Sequence, residues 1–180
     1  MKPYLKWETH PLADPKNVVK GDKYRITVKK GISIEEFLQV QKQTFERQQV
    51  LNKEDTDILV KLINICRKRN QGDIWGGYDE QGRLHAAAFI VWQESSAWYL
   101  AGGGDPALRK SGAHSLILWE AIRYVSQYTD TFDFEGSMIP GVERFFREFG
   151  AIQTPFFTIT KGKLSLLNRA CLKIGRIINR

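Results

Sequence analysis

Residues 102–112, Gly-Gly-Gly-Asp-Pro-Ala-Leu-Arg-Lys-Ser-Gly, combine the residue types that let a main chain hold an anion. Gly102, Gly103 and Gly104 carry no side chain, so a ligand can come close to the backbone there. Asp105-Pro106 turns the chain, and Arg109-Lys110-Ser111-Gly112 leads into an apolar pattern with helical spacing. The first N–H groups of a helix have no partner within it, and the helix dipole makes that end positive. A phosphate or acyl donor suits such a loop. A plain strand-to-helix turn uses the same residues.

A second cluster is Thr131-Phe-Asp-Phe-Glu-Gly136. On a strand Phe132 and Phe134 share one face, and Asp133 and Glu135 share the other. A carboxylate at that strand end can accept the proton of an amine nucleophile, or Asp133 can bond local backbone instead. His114 falls in the first turn of the helix after the glycines, where the positive helix end lowers an imidazole pKa. His85 lies in an apolar strand and His10 near the start, neither with an evident partner. The two cysteines, Cys66 and Cys171, are far apart and belong to no Cys/His cluster. The reading is no metal, and a reduced, cytoplasmic protein with two incidental thiols.

These groups need elements to position them. Residues 1–22 carry Pro3, Pro11, Pro15 and Gly21 without a period and read as an irregular leader or linker. Tyr24, Ile26 and Val28 alternate with polar neighbours over 23–30, which predicts a strand. Ser33 with Glu36 forms a capping box, and Phe37, Leu38, Val40 and Phe45 give the helix that follows an apolar stripe. A second helix starts after Asn52, with Ile58, Leu59, Leu62, Ile63 and Cys66 expected inward and Arg67-Lys68-Arg69 at its negative end. A hairpin follows, with strands near 73–78 and 83–92 around Asp79–Gly82, then a strand at 97–101. The chain continues as helix 112–127, strand 131–136, helix 141–150 and strand 151–160. The order predicts an α/β (α+β) domain over 23–160, with a mixed, mostly antiparallel sheet and helices on both faces.

Composition narrows the function classes. With 42% hydrophobic and 26% charged residues in 180, the chain is globular, and no apolar run approaches a membrane span. The net charge of +7 is local: residues 161–180 hold six basic residues and no acid, leaving 21 basic against 20 acidic residues elsewhere. A general nucleic-acid-binding surface is therefore poorly supported. In that tail Leu164, Leu167, Cys171, Ile174 and Ile178 recur at helical spacing, which predicts a basic amphipathic helix. It can pack on the domain with a solvated basic face, or meet an anionic membrane surface or an RNA backbone.

The order of elements from 23 to 160 resembles the GNAT N-acyltransferase fold. Within it, YLAGGGDPALRKSGAHSLILWEAI and FDFEGSMIPGVERFFREFGA are similar to the FemAB-type branch, which includes aminoacyl-tRNA-dependent transferases that build peptidoglycan bridges. The resemblance implies that an amine, on a small molecule or a peptide, attacks an activated acyl carbonyl where the strands at 97–101 and 131–135 splay apart. It implies Gly102, Gly103, Gly104, Arg109, Gly112 and Phe146 around the donor, and Arg147 and Glu135 near the transferring carbonyl. No cofactor is implied to bind tightly; acyl-CoA or aminoacyl-tRNA would be the acyl donor, which makes tRNA a partner in the second case.

Departures from the family pattern bear on that choice. His114 stands at a position that CoA users keep small, where it would crowd a pyrophosphate. Phe146 stands where many of them carry a proton-donating tyrosine. Arg147 stands where Fem-type transferases carry a lysine; it keeps the charge but cannot act as a base, so it would stabilise an oxyanion. Fem-type enzymes are tandem, and this chain resembles their second domain. That implies completion by another GNAT-like domain or by a second copy. The alternative is a non-catalytic domain of this fold that uses its basic tail as the binding element.

Overall fold

A computed structural model describes residues 3–8, 24–48, 53–136 and 140–155. Its elements are β1 (Pro3–Glu8), β2 (Thr27–Lys30), α1 (Ile34–Gln48), α2 (Lys53–Lys68), β3 (Gly72–Tyr78), β4 (Leu84–Gln93) and β5 (Ser96–Gly104). They continue with α3 (Ala113–Val125), β6 (Thr131–Asp133), α4 (Pro140–Arg147) and β7 (Ile152–Pro155). Among the described residues the strands form one sheet in the order β2-β3-β4-β5-β6-β1-β7. All neighbours pair antiparallel except β5 and β6, which run parallel. The expected mixed, mostly antiparallel sheet with helices on both faces is what forms.

Strand alternation divides the core. Ala86, Ala88, Ile90 and Trp92 of β4 pack with Leu116, Ile117 and Ile122 of α3 on one face. Ala87 and Phe89, with Val91 partly buried beside them, pack with Phe37 and Val40 of α1 and Ile63 of α2 on the other. The capping box closes as predicted: Glu36 N–H donates to Ser33 Oγ at 3.1 Å, and Ser33 N–H to Glu36 Oε2 at 3.1 Å. Tyr78 Oη donates to the free Glu36 oxygen at 2.8 Å, and that bond does most to hold the Glu36 carboxyl below its usual range. The helix start is thereby fastened to the sheet.

Four expectations need correction. Residues 1–22 are not wholly irregular, because Pro3–Glu8 forms β1 between β6 and β7. Its pairings are long-range and leave no local period to read. The strand expected from residue 23 starts only at Thr27: Arg25 has φ 50°, and Tyr24 is exposed in the preceding turn. On α2, Leu59, Ile63 and Cys66 face the core, but Ile58 and Leu62 do not. The helix meets the sheet through a narrower stripe than its apolar content covers. The glycines at 102–104 finish β5 rather than forming a loop. The tail at 161–180 and the ends of the predicted 23–160 domain lie outside the described residues.

Candidate active site

The site is built on an irregularity in β5. Phe89 pairs with Ala101 and Ile90 with Tyr99, so Leu100 is an extra residue with no partner on β4. Such a bulge leaves one residue's main-chain groups unpaired and reverses the alternation of side chains. The reversal is visible here: Tyr99 joins the core under α3, whereas Ala101 joins the core under α1 and α2. On its other edge β5 pairs with β6 only over Ser96↔Thr131, Ala97↔Phe132 and Trp98↔Asp133. From Tyr99 onward no strand lies beside that edge, so bulge and divergence coincide. Open main-chain groups there can polarise a carbonyl.

The three glycines are held largely by packing. A Cβ at Gly103 would stand 2.9 Å from both Gln41 Cα and Val40 O, so α1 can approach only a bare backbone. Gly104 N–H donates to Thr44 Oγ1 of α1 at 3.1 Å. A Cβ at Gly102 would run into the Tyr99 ring. Arg109 lies in the short 3-10 turn Arg109–Ser111, exposed, and Gly112 caps α3 with φ 75°, a conformation that favours glycine. Ala113 N–H donates to Ser111 Oγ at 3.3 Å.

His114 turns toward β5. Its Nε2 lies 3.0 Å from Tyr99 Oη, and its ring packs edge to face on Tyr99 and on Phe145 of α4 at 5.9 and 5.8 Å between centroids. Burial holds the imidazole down at about 4 and pushes the Tyr99 hydroxyl well above its ordinary value. The neutral imidazole therefore accepts at Nε2 and the tyrosine donates. Phe146 is core: it stacks on Phe134 at 4.7 Å and meets Tyr99 edge to face at 6.3 Å. The structure thus brings Tyr99, His114 and Phe146 together where β5 and β6 part.

The carboxylates divide as their positions suggest. Asp133 is buried, and its Oδ1 accepts from Glu135 N–H at 2.8 Å, a local turn. Glu135 is exposed just beyond β6 with φ 59°, an uncommon conformation for a residue with a side chain. Arg147 is turned along α4, where Nε and Nη2 hold Glu143 Oε1 at 3.1 and 2.7 Å, and half its side chain is exposed. No group of three or more metal-ligating side chains occurs among the described residues.

Sequence reasoning missed Tyr99 and the bulge, because one extra residue in a strand changes no local pattern. It also missed a partner for His85. Its Nε2 lies 3.0 Å from Asp79 Oδ2, and both side chains are buried in the β3–β4 turn. Burial alone would raise the Asp79 carboxyl, but bonds from His85 and Arg83 hold it below the usual carboxylate range. The recurrence of Asp79 six residues before His85 around a glycine turn was the available signal.

The comparisons agree with this geometry. A family model described as an acetyltransferase (GNAT) domain matches residues 19–147. No curated protein sequence matches the chain. Among solved structures, FemX superposes with a TM-score of 0.73 at 12% identity, covering 86% of this chain and 60% of its own. L-PGS from Bacillus licheniformis gives 0.58 at 12% identity, over 84% of this chain and 57% of its own. A predicted acetyltransferase from Clostridium acetobutylicum, solved with acetyl-CoA, gives 0.51 at 12% identity, over 79% and 97%. The chain therefore spans about three fifths of the FemX and L-PGS structures. At these identities the likeness is one of fold, and it supports the FemAB-like branch. With the family match over most of its length and a bulged β5 parting from β6, the chain belongs to the GNAT acetyltransferase family.

Proposed function

We propose that the protein is an N-acyltransferase that holds the acyl carbonyl of its donor against the open edge of β5 at Tyr99–Ala101. The observation that carries this reading is the coincidence of the Leu100 bulge with the end of β5–β6 pairing at Trp98↔Asp133. Main-chain N–H groups there would take the charge of the tetrahedral intermediate, as in any oxyanion hole. The amine nitrogen bonds to the carbonyl carbon, the bond to the leaving group breaks, and the amine proton passes to water or to Glu135. Arg109 and the opening of α3 at Gly112 would receive the donor's anionic part. Arg147 would reach the intermediate only by leaving Glu143.

The donor we favour is an acyl-CoA thioester, because a domain of this family and a neighbour solved with acetyl-CoA share the fold. The engagement of His114 with Tyr99 further supports it, since the imidazole has a partner inside the fold. Aminoacyl-tRNA is the second donor class, favoured by the likeness to FemX and L-PGS. The acceptor is an amine on a small molecule or a peptide, and we place the reaction in the cytoplasm on cysteine usage. A non-catalytic domain that binds RNA or membrane through 161–180 is the competing reading. A thermal-shift titration with acetyl-CoA and desulfo-CoA decides first: a saturable rise in melting temperature is expected. A flat response to both up to millimolar ligand would remove CoA as donor.

A further inference from the structure

The outward side of α2 carries Ile58, Leu62 and Ile65 at 63%, 37% and 52% exposure. Their spacing is i, i+4, i+7, which places them on one stripe, separate from the core stripe of Leu59, Ile63 and Cys66. The same alternation of three and four residues reaches Asp55 before Ile58 and Arg69 after Ile65. Arg69 still follows the helical path, its N–H donating to Ile65 O at 3.1 Å. The seam thus reads acid, three apolar residues, base. Scattered exposed apolar residues are ordinary on a surface; an ordered seam with opposite charges at its two ends is not.

A seam of this kind is complementary to itself when reversed. Laid antiparallel about a two-fold axis through Leu62, it brings Ile58 against the partner's Ile65, Leu62 against the partner's Leu62, and Asp55 against the partner's Arg69. Residue numbers that meet then sum to 123 or 124 throughout, so one register satisfies every position. The flank adds Glu54 opposite the partner's Lys68. Lys61 meets its own copy at the rim, where its long stem can turn the ammonium to water. Isologous contacts of this form are the commonest in homo-oligomers.

We infer that α2 is the interface of a two-fold symmetric homodimer, with the exposed seam Asp55-Ile58-Leu62-Ile65-Arg69 packed antiparallel on itself. One helix pair buries less than the roughly 1,200 Å² of a standard interface, so dissociation falls on the order of 10 µM.

Sedimentation velocity of the full chain from about 1 to about 300 µM tests this, since a dimer must grow with concentration. The mass is expected to rise from one chain toward two. L62E is expected to stay at one chain throughout, with unchanged circular dichroism because the site is exposed. A wild-type protein that is monomeric at every concentration overturns the inference, and so does an L62E protein that dimerises like wild type. Charge exchange keeps the test open if L62E fails to fold. D55R and R69D should each weaken the dimer at least fivefold, and D55R/R69D should restore it. Failure of the double variant to recover would remove the antiparallel register. Oxidation of an L62C variant lacking Cys66 and Cys171 should give a disulfide-linked dimer, and its absence at dimer-forming concentration would likewise overturn the register.

Discussion

The Tyr99 hydroxyl lies 3.0 Å from His114 Nε2, which ties the bulged strand β5 to the first turn of α3. The bond joins the two elements that the proposed reaction uses, one for the acyl carbonyl and one for the donor's anionic part.

This pair predicts a pH dependence of stability. The imidazole is held at about 4 in the fold against 6.5 in the open chain. Above pH 6.5 both states are neutral and the contribution is complete. As pH falls from 6.5 to 4 the unfolded chain takes up a proton and the folded one does not, so stability is lost. A full unit of difference is worth about 1.4 kcal/mol, so the loss reaches about 3 kcal/mol by pH 4. Denaturant unfolding at pH 7.5, 6 and 4.5 should show this slope reduced in His114→Gln; an identical slope in the variant would mean other groups carry it.

Glu135 offers a separation of strain from chemistry. Its φ of 59° costs on the order of 1 kcal/mol, which Glu135→Gly should return as added stability. Glu135→Gln keeps the strain and removes the base. If Glu135 accepts the amine proton, acyl transfer should fall by about 100-fold in both variants. Equal activity in Glu135→Gln and wild type would assign the proton to water.

The buried Asp79–His85 pair holds the β3–β4 turn. Asp79→Ala strands His85 and frees the N–H groups of Gln81 and Arg83, which Asp79 Oδ1 now accepts at 3.0 and 2.9 Å. The expected cost is about 3 kcal/mol by denaturant unfolding. A cost below about 1 kcal/mol would mean that water replaces the carboxylate.

Lys30 pins the edge strand β2. Its ammonium donates to Tyr124 Oη at 2.8 Å and lies 5.9 Å from the ring centre of Trp75 and 5.7 Å from that of Trp92. Lys30→Met keeps the stem and removes the charge, and should cost about 1 to 2 kcal/mol. The melting temperature of Lys30→Met against Lys30→Arg reads this directly, because arginine retains the attraction.

The sheet order, the capping box and the core face of α1 were legible because each leaves a local mark: alternation, Ser33 before Glu36, or an apolar stripe. The triple glycine was legible as unusual but not for its cause. Gly103 meets the backbone of α1, sixty residues away in sequence, and no neighbour of Gly103 records that. Arg147 was legible as a charge on the right helix, while its capture by Glu143 is a matter of side-chain direction. Tyr99 was hidden by the bulge that gives it its position. A face assignment made by counting residues fails wherever one residue is extra.

The strand β1 carries a consequence for how the protein is made. Lys6 pairs with Asp133 and also with Ile152, so the earliest described segment waits for some of the last to be synthesised. Contacts this distant in sequence slow folding, since chain entropy is lost before they form. Because β6 is also a wall of the proposed acyl crevice, that wall stays half supported until the first strand returns to it. A nascent chain therefore completes its scaffold from the middle outward and acquires its reaction crevice last.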